Sequence, residues 1–327
     1  MFGLLLILGG GADNATASDT AKIMGPNACA ECHKQETEAW KSTHHFKTYR
    51  AMPRDAKANE IAKKMGVRRI KSESLCVNCH FTLQNKNNKE QFVAGVSCES
   101  CHGAGQDWIK VHSEFSGKTI LFETKAEAQA RWKLADAKGM IRPRAFYQLA
   151  KNCYGCHVVP QEDLVNKGGH RAGSDFELVS WSQGEVLHNT WHSKGRANVP
   201  ASAARRRMLY LVGLGVDLET AIRGIGRAKT RWLYAFEMAK RADRARKQLA
   251  AVAKAAPDVP EIAEIVKYAH AAGLKLNNER ALTAAADGIS KQLIAITEKY
   301  DGSTLARLDP LIPGPEKYKG VARKPDN

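Results

Sequence analysis

The chain has 327 residues, 43% of them hydrophobic, and carries 50 Lys and Arg against 34 Asp and Glu, a formal charge of +16. That length allows one large domain or two ordinary ones with a real core. The basic residues are spread throughout and no nucleic-acid fold motif is present, which excludes nucleic acid as the partner and leaves an acidic protein surface as what the charge would meet.

Residues 2–10 form an apolar run too short to span a bilayer but of signal-peptide length, and Ala15-Thr16-Ala17 offers a cleavage site before Ser18, although no basic stretch precedes the run. A signal peptide over residues 1–17 is therefore expected. No later segment is apolar enough to cross a membrane, so the mature protein reads as soluble and extracytoplasmic.

Cys29-Ala30-Glu31-Cys32-His33 is the first of four Cys-x-x-Cys-His motifs. The others are Cys76-Val77-Asn78-Cys79-His80, Cys98-Glu99-Ser100-Cys101-His102 and Cys153-Tyr154-Gly155-Cys156-His157, and together they use every cysteine in the chain. This is the c-type haem attachment pattern: two thiols form thioethers to the haem vinyls and the adjacent His ligates the iron. Zinc sites and disulfides also use paired cysteines, but neither requires a His after the second Cys each time. Four haem c groups are expected, bound by Cys29, Cys32, Cys76, Cys79, Cys98, Cys101, Cys153 and Cys156, with His33, His80, His102 and His157 on iron. Their propionates lower the charge to roughly +8. In bacteria c-type haems are attached outside the cytoplasmic membrane, which points to the same compartment as the apolar run.

After the first motif, residues 38–47 read as a short helix bearing His44 and His45. Helical neighbours point about 100° apart, so only one of the two can face a given iron. Residues 50–75 are polar and basic, a solvated connection with one helical segment near residues 61–65, and residues 85–89 read as a turn. Gly103 and Gly105 would let the backbone pass close to a flat macrocycle. His112, on an amphipathic segment ten residues beyond His102, is a candidate distal ligand.

The run from Gly95 to Gly105 resembles the third haem site of the tetrahaem cytochrome c-554 family, electron carriers that serve hydroxylamine oxidoreductase. The likeness extends roughly over residues 27–193. It implies that His45, in Ala39-Trp40-Lys41-Ser42-Thr43-His44-His45, supplies the distal ligand of the third haem, and that His112 closes the first. It also implies that a later segment closes the fourth haem, here through His188 with His192 as the alternative. In that family the second haem is five-coordinate. This sequence departs by carrying His170, in Lys167-Gly168-Gly169-His170-Arg171, as a candidate ligand opposite His80. An iron with two His ligands passes electrons but does not readily bind a substrate, whereas an open position could take nitric oxide.

Beyond residue 198 cysteines cease and His270 is the last histidine. Helical periodicity takes over: an apolar stripe from Met208, then Asp217 as N-cap of a helix carrying Leu218, Ile222 and Ile225, which Gly224 and Gly226 would break or bend. Trp232, Leu233, Phe236 and Ala239 continue an apolar face, with residues 241–247 a basic solvated one. Pro257 and Pro260 end that helix, and residues 262–269 and 282–296 form two more. His270 reads as a surface residue.

The expected fold is mainly α: a signal peptide over residues 1–17, a tetrahaem c-type cytochrome domain of short helices and loops over 18–198, a helical bundle over 199–309, and an extended tail over 310–327, mobile at its end. The expected function is electron transfer by a carrier rather than an enzyme, between redox partners with an acidic docking surface, with self-association through the C-terminal helices. The alternatives are a nitrogen-oxide reductase at an open haem and a subunit of an extracellular cytochrome filament.

Overall fold

The computed structural model describes residues 19–72 and 74–325; the expected signal peptide lies outside them. The fold is mainly α, with one two-stranded hairpin and, among the described residues, no helix long and apolar enough to cross a membrane.

Short helices carry the four motifs. α1 (Pro26–Ala30) begins the first, and α2 (Lys34–Lys41) and α3 (His44–Ala51) follow it, α3 starting where Thr43 accepts the Phe46 N–H. α4 (Ala56–Lys64) leads to α5 (Ser74–His80), which holds the second motif. The basic stretch is more than a solvated connection, because Ala62 and Ile70 pack on Val77 and Phe81 of the second motif's neighbourhood. The expected turn near residue 87 is the tip of a hairpin, β1 (Thr82–Lys86) and β2 (Lys89–Ala94). Asn87 and Asn88 both have positive φ, the geometry of a two-residue hairpin turn. β2 delivers the chain to α6 (Cys98–His102), the third motif, where Ser97 and Ser100 form a reciprocal capping box. α7 (Ile109–Ser113) bears His112, α8 (Lys125–Ala137) follows, and α9 (Phe146–His157) ends in the fourth motif. α10 (Glu162–Asn166) and α11 (Leu178–Ser182) complete this part.

Four long helices follow: α12 (Ala203–Arg227), α13 (Leu233–Ala255), α14 (Pro260–Ala271) and α15 (Glu279–Lys299). α12 is central and buried over nearly its whole length. Asp217 does not cap a helix; it sits in the middle of α12, buried, and pairs with Arg241 of α13. An acidic side chain reads as a cap in sequence because nothing local reveals a cation one helix away. Gly224 and Gly226 do not interrupt α12 either. Its glycines permit close helix packing: a Cβ on Gly215 would meet Leu293 Cδ2 at 2.4 Å, and one on Gly213 would meet Leu178 Cβ at 2.8 Å.

The core runs across residue 198 without a seam. Ala150, Tyr154, Val158, Leu164, Phe176 and Val179 share one apolar cluster with α12–α15. Buried charge reinforces the join: Glu219 of α12, fully buried, accepts from Lys151 Nζ at 2.9 Å and Tyr147 Oη at 3.0 Å, both on α9. The tail also differs from the expected free extension. Lys319 N donates to the Ser180 carbonyl at 3.0 Å, Glu185 N to the Lys319 carbonyl at 2.8 Å, and Asn198 Nδ2 to the Arg323 carbonyl at 2.9 Å.

Because Gly215 leaves no room beside Leu293, Gly215→Val should cost about 1–3 kcal/mol through overpacking. The midpoint of denaturant unfolding of the holoprotein, followed by far-UV circular dichroism, measures this; an unchanged midpoint would show that α12 and α15 can separate freely.

Candidate functional site

Four histidine pairs define the site. His33 faces His112 with ring centroids 6.0 Å apart, His80 faces His170 at 6.4 Å, His102 faces His188 at 6.1 Å, and His157 faces His45 at 6.2 Å. Each pair contains one motif histidine and one from outside the motifs. Two imidazoles on opposite faces of one metal ion, each through a bond of about 2 Å, have centroids roughly 6 Å apart. Each gap therefore fits an iron between two rings. Among the described residues no group of three or more His, Cys, Asp or Glu could hold a metal ion, whereas a structural zinc needs four ligands at one point.

Protonation agrees. Burial lowers His80, His102, His112 and His157 to about 4, and the histidine facing each is the next cause in every case. Burial also lowers His45. Neutral imidazole is the ligating form. Three rings are fixed through Nδ1, which donates to a backbone carbonyl: His102 to Ile141 at 2.8 Å, His170 to Arg171 at 2.7 Å, and His188 to Val186 at 2.7 Å. A carbonyl can only accept, so Nδ1 carries the proton and Nε2 keeps the lone pair that a metal needs.

The structure separates the members of each adjacent or competing pair. His44 turns outward, its side chain 84% exposed and bonded to Glu185 Oε2 at 2.7 Å, while His45 turns in. His192 is exposed and faces no second histidine, whereas His188 faces His102. Two pairings are exchanged relative to those the resemblance implied: His45 stands opposite His157 rather than His102, and His188 opposite His102 rather than His157. The cause is packing. The first turn of α3 lies against the loop after β2, where a Cβ on Gly95 would meet the His45 carbonyl at 2.2 Å, and α3 borders α5, which borders α9. The His188 segment is tied elsewhere, by Thr190 to Glu36 beside the first site.

Packing connects the sites. α1 meets α6 across the first and third motifs, and α5 meets α9 across the second and fourth. Asn152, in the fourth motif's helix, donates to the Cys101 carbonyl at 2.9 Å.

Several residues around the sites carried no signal in the sequence. Glu99, a variable position inside the third motif, is buried and accepts from Met24 N, Gly25 N and Gly105 N at 2.7–2.9 Å, binding the start of the described chain to the third site. Arg131 donates to the His112 carbonyl and forms a bidentate pair with Glu123. Gly103 and Gly105 serve the protein itself: Gly103 has φ +85° and its Cβ would meet the Gly139 carbonyl at 2.3 Å, and Gly105 packs on Glu99 and Met24.

A mainly α chain with c-type haem motifs whose histidines stand in iron-spanning pairs defines a c-type cytochrome. Residues 28–103 match the family described as cytochrome c554 and c-prime. The chain is also 28% identical over 149 residues to cytochrome c-554 of Nitrosomonas europaea, an alignment that covers 42% of this chain and 58% of that protein, less than two thirds of its length. The chain is thus related to the cytochrome c-554 family over part of its length. No solved structure matches it.

The tail holds the segment that bears His188, so deleting residues 315–327 should free that segment. Loss of three hydrogen bonds, each worth about 0.5–1.5 kcal/mol, should speed tryptic cleavage after Lys194 and Arg196 by about tenfold or more. Limited proteolysis of full-length and truncated holoprotein measures this, and equal rates would show that the tail clamps nothing.

Proposed function

We propose that this protein is a periplasmic electron carrier with four covalent haem c groups, each iron held between two histidines. The observation that carries the reading is the fourfold repetition of one distance, 6.0–6.4 Å, between a motif histidine and a second histidine. The attaching thioethers come from the eight motif cysteines. The irons are bound by His33 with His112, His80 with His170, His102 with His188, and His157 with His45. With both axial positions filled, the haems exchange electrons and take no substrate at iron.

The contacts between sites suggest the route. α1 meets α6, Asn152 of α9 meets Cys101 of α6, and α9 meets α5, so electrons pass along the order first, third, fourth, second. The partners are redox proteins with acidic surfaces, suited to the basic chain. Trp232, Leu233 and Phe236, exposed at the start of α13, support association of two copies through the bundle. The apolar run before residue 18 directs export.

His170 decides between carrier and reductase. With His170 on the second iron, the reduced wild-type protein should bind no carbon monoxide, and His170→Ala should bind one equivalent, seen as a shifted Soret band in an anaerobic titration. Binding of one equivalent by the wild type would instead favour a reductase with its site at the second haem.

A further inference from the structure

The helical bundle reaches the fourth site through side chains that lie outside every haem motif. His157 ends α9, and its Nδ1 hydrogen-bonds Ser174 Oγ at 2.9 Å. The Ser174 backbone is bound to the same residue, its N–H donating to the His157 carbonyl at 3.1 Å beside an antiparallel bridge between Val158 and Gly173. The Ser174 carbonyl in turn accepts from Arg241 Nη1 of α13 at 2.8 Å. Arg241 is 6% exposed, and its Nε donates to Asp217 of α12, which is 5% exposed. The guanidinium also lies 5.9 Å over the ring of Tyr154, one turn before His157.

Placing two charges in a core is expensive, and an apolar pair of similar volume often leaves a protein as stable or more so. What Asp217 and Arg241 supply and an apolar pair would not is a donor aimed at Ser174. A proton acceptor held on Nδ1–H makes a ligating imidazole a stronger donor to its metal, which favours the ferric state. The pair itself is neutral overall, so its influence on the iron comes through geometry and not through net field.

We propose that Asp217 and Arg241 are positioning residues for the fourth haem: by anchoring Ser174 they keep its hydroxyl on the Nδ1 proton of His157 and so depress the potential of that haem. This rests on the reading of the fourth site as an iron between His157 and His45. It assigns a redox task to a part of the chain beyond the family match at residues 28–103.

The test uses the full holoprotein and three variants: Ser174→Ala, Ser174→Thr, and the double variant Asp217→Leu with Arg241→Leu, which leaves no buried charge unpaired. Haem content and low-spin signals are recorded first, then the four midpoint potentials by spectroelectrochemical titration. Ser174→Ala should raise one potential, changing the oxidised-to-reduced ratio of that haem threefold to tenfold at fixed ambient potential, the upper value being about 59 mV for one electron. The other three should stay in place, Ser174→Thr should match the wild type, and the double variant should move the same haem in the same direction. Four low-spin haems with unshifted potentials in the double variant, whatever Ser174→Ala does, would overturn the positioning role alone. A wild-type fourth site without a low-spin haem would overturn it together with the reading it rests on.

Discussion

Two imidazoles that share one iron stand about 6 Å apart, and meeting that distance four times is the constraint under which this chain folds. The elements that must meet it are short: α1, α6 and α7 have five residues each, too few to hold themselves together as isolated helices. Their placement comes from specific anchors. The Glu99 carboxylate gathers three backbone N–H groups, Arg131 fixes the His112 carbonyl, and backbone carbonyls lock the rings of His102, His170 and His188. A buried acceptor that satisfies several donors costs more to remove than any one bond suggests, because each donor is then left without a partner.

The bundle answers the same constraint on a larger scale. Before residue 146 the described chain buries few apolar side chains, while α12 alone buries sixteen residues. α9 bridges the two regimes: its apolar side joins the large core, its Lys151 and Tyr147 reach buried Glu219, and its last residue is His157, the proposed ligand. The C-terminal helices are therefore a foundation for the fourth site, and the tail extends that support to the segment with His188. The fourth motif and the bundle form one packed unit.

Much of this was legible in the sequence, for a physical reason. Haem attachment is local chemistry, so the motif cysteines and their histidines are written contiguously, and the long helices announce themselves by apolar period. Helical geometry showed only that one of His44 and His45 can face a given iron; the choice of His45 came from the resemblance, and in the structure Glu185, more than a hundred residues away, captures His44. Pairing across sites was not legible, because which distal histidine reaches which iron depends on the contact of α3 with the loop at Gly95 and on the Thr190 bond to Glu36. Nor were the buried charges: Asp217 reads as a cap and Arg241 as a solvated residue until α12 and α13 are laid side by side. The hairpin was half visible, its Asn-Asn turn plain and its two short strands too polar to register.

The account stands on the filling of eight axial positions by eight histidines, and low-temperature electron paramagnetic resonance of the oxidised protein examines that most directly. Quantified against total haem, the spectrum should be wholly low-spin ferric. A high-spin signal from about one haem in four would contradict it, by showing that one of the four histidine pairs does not share an iron.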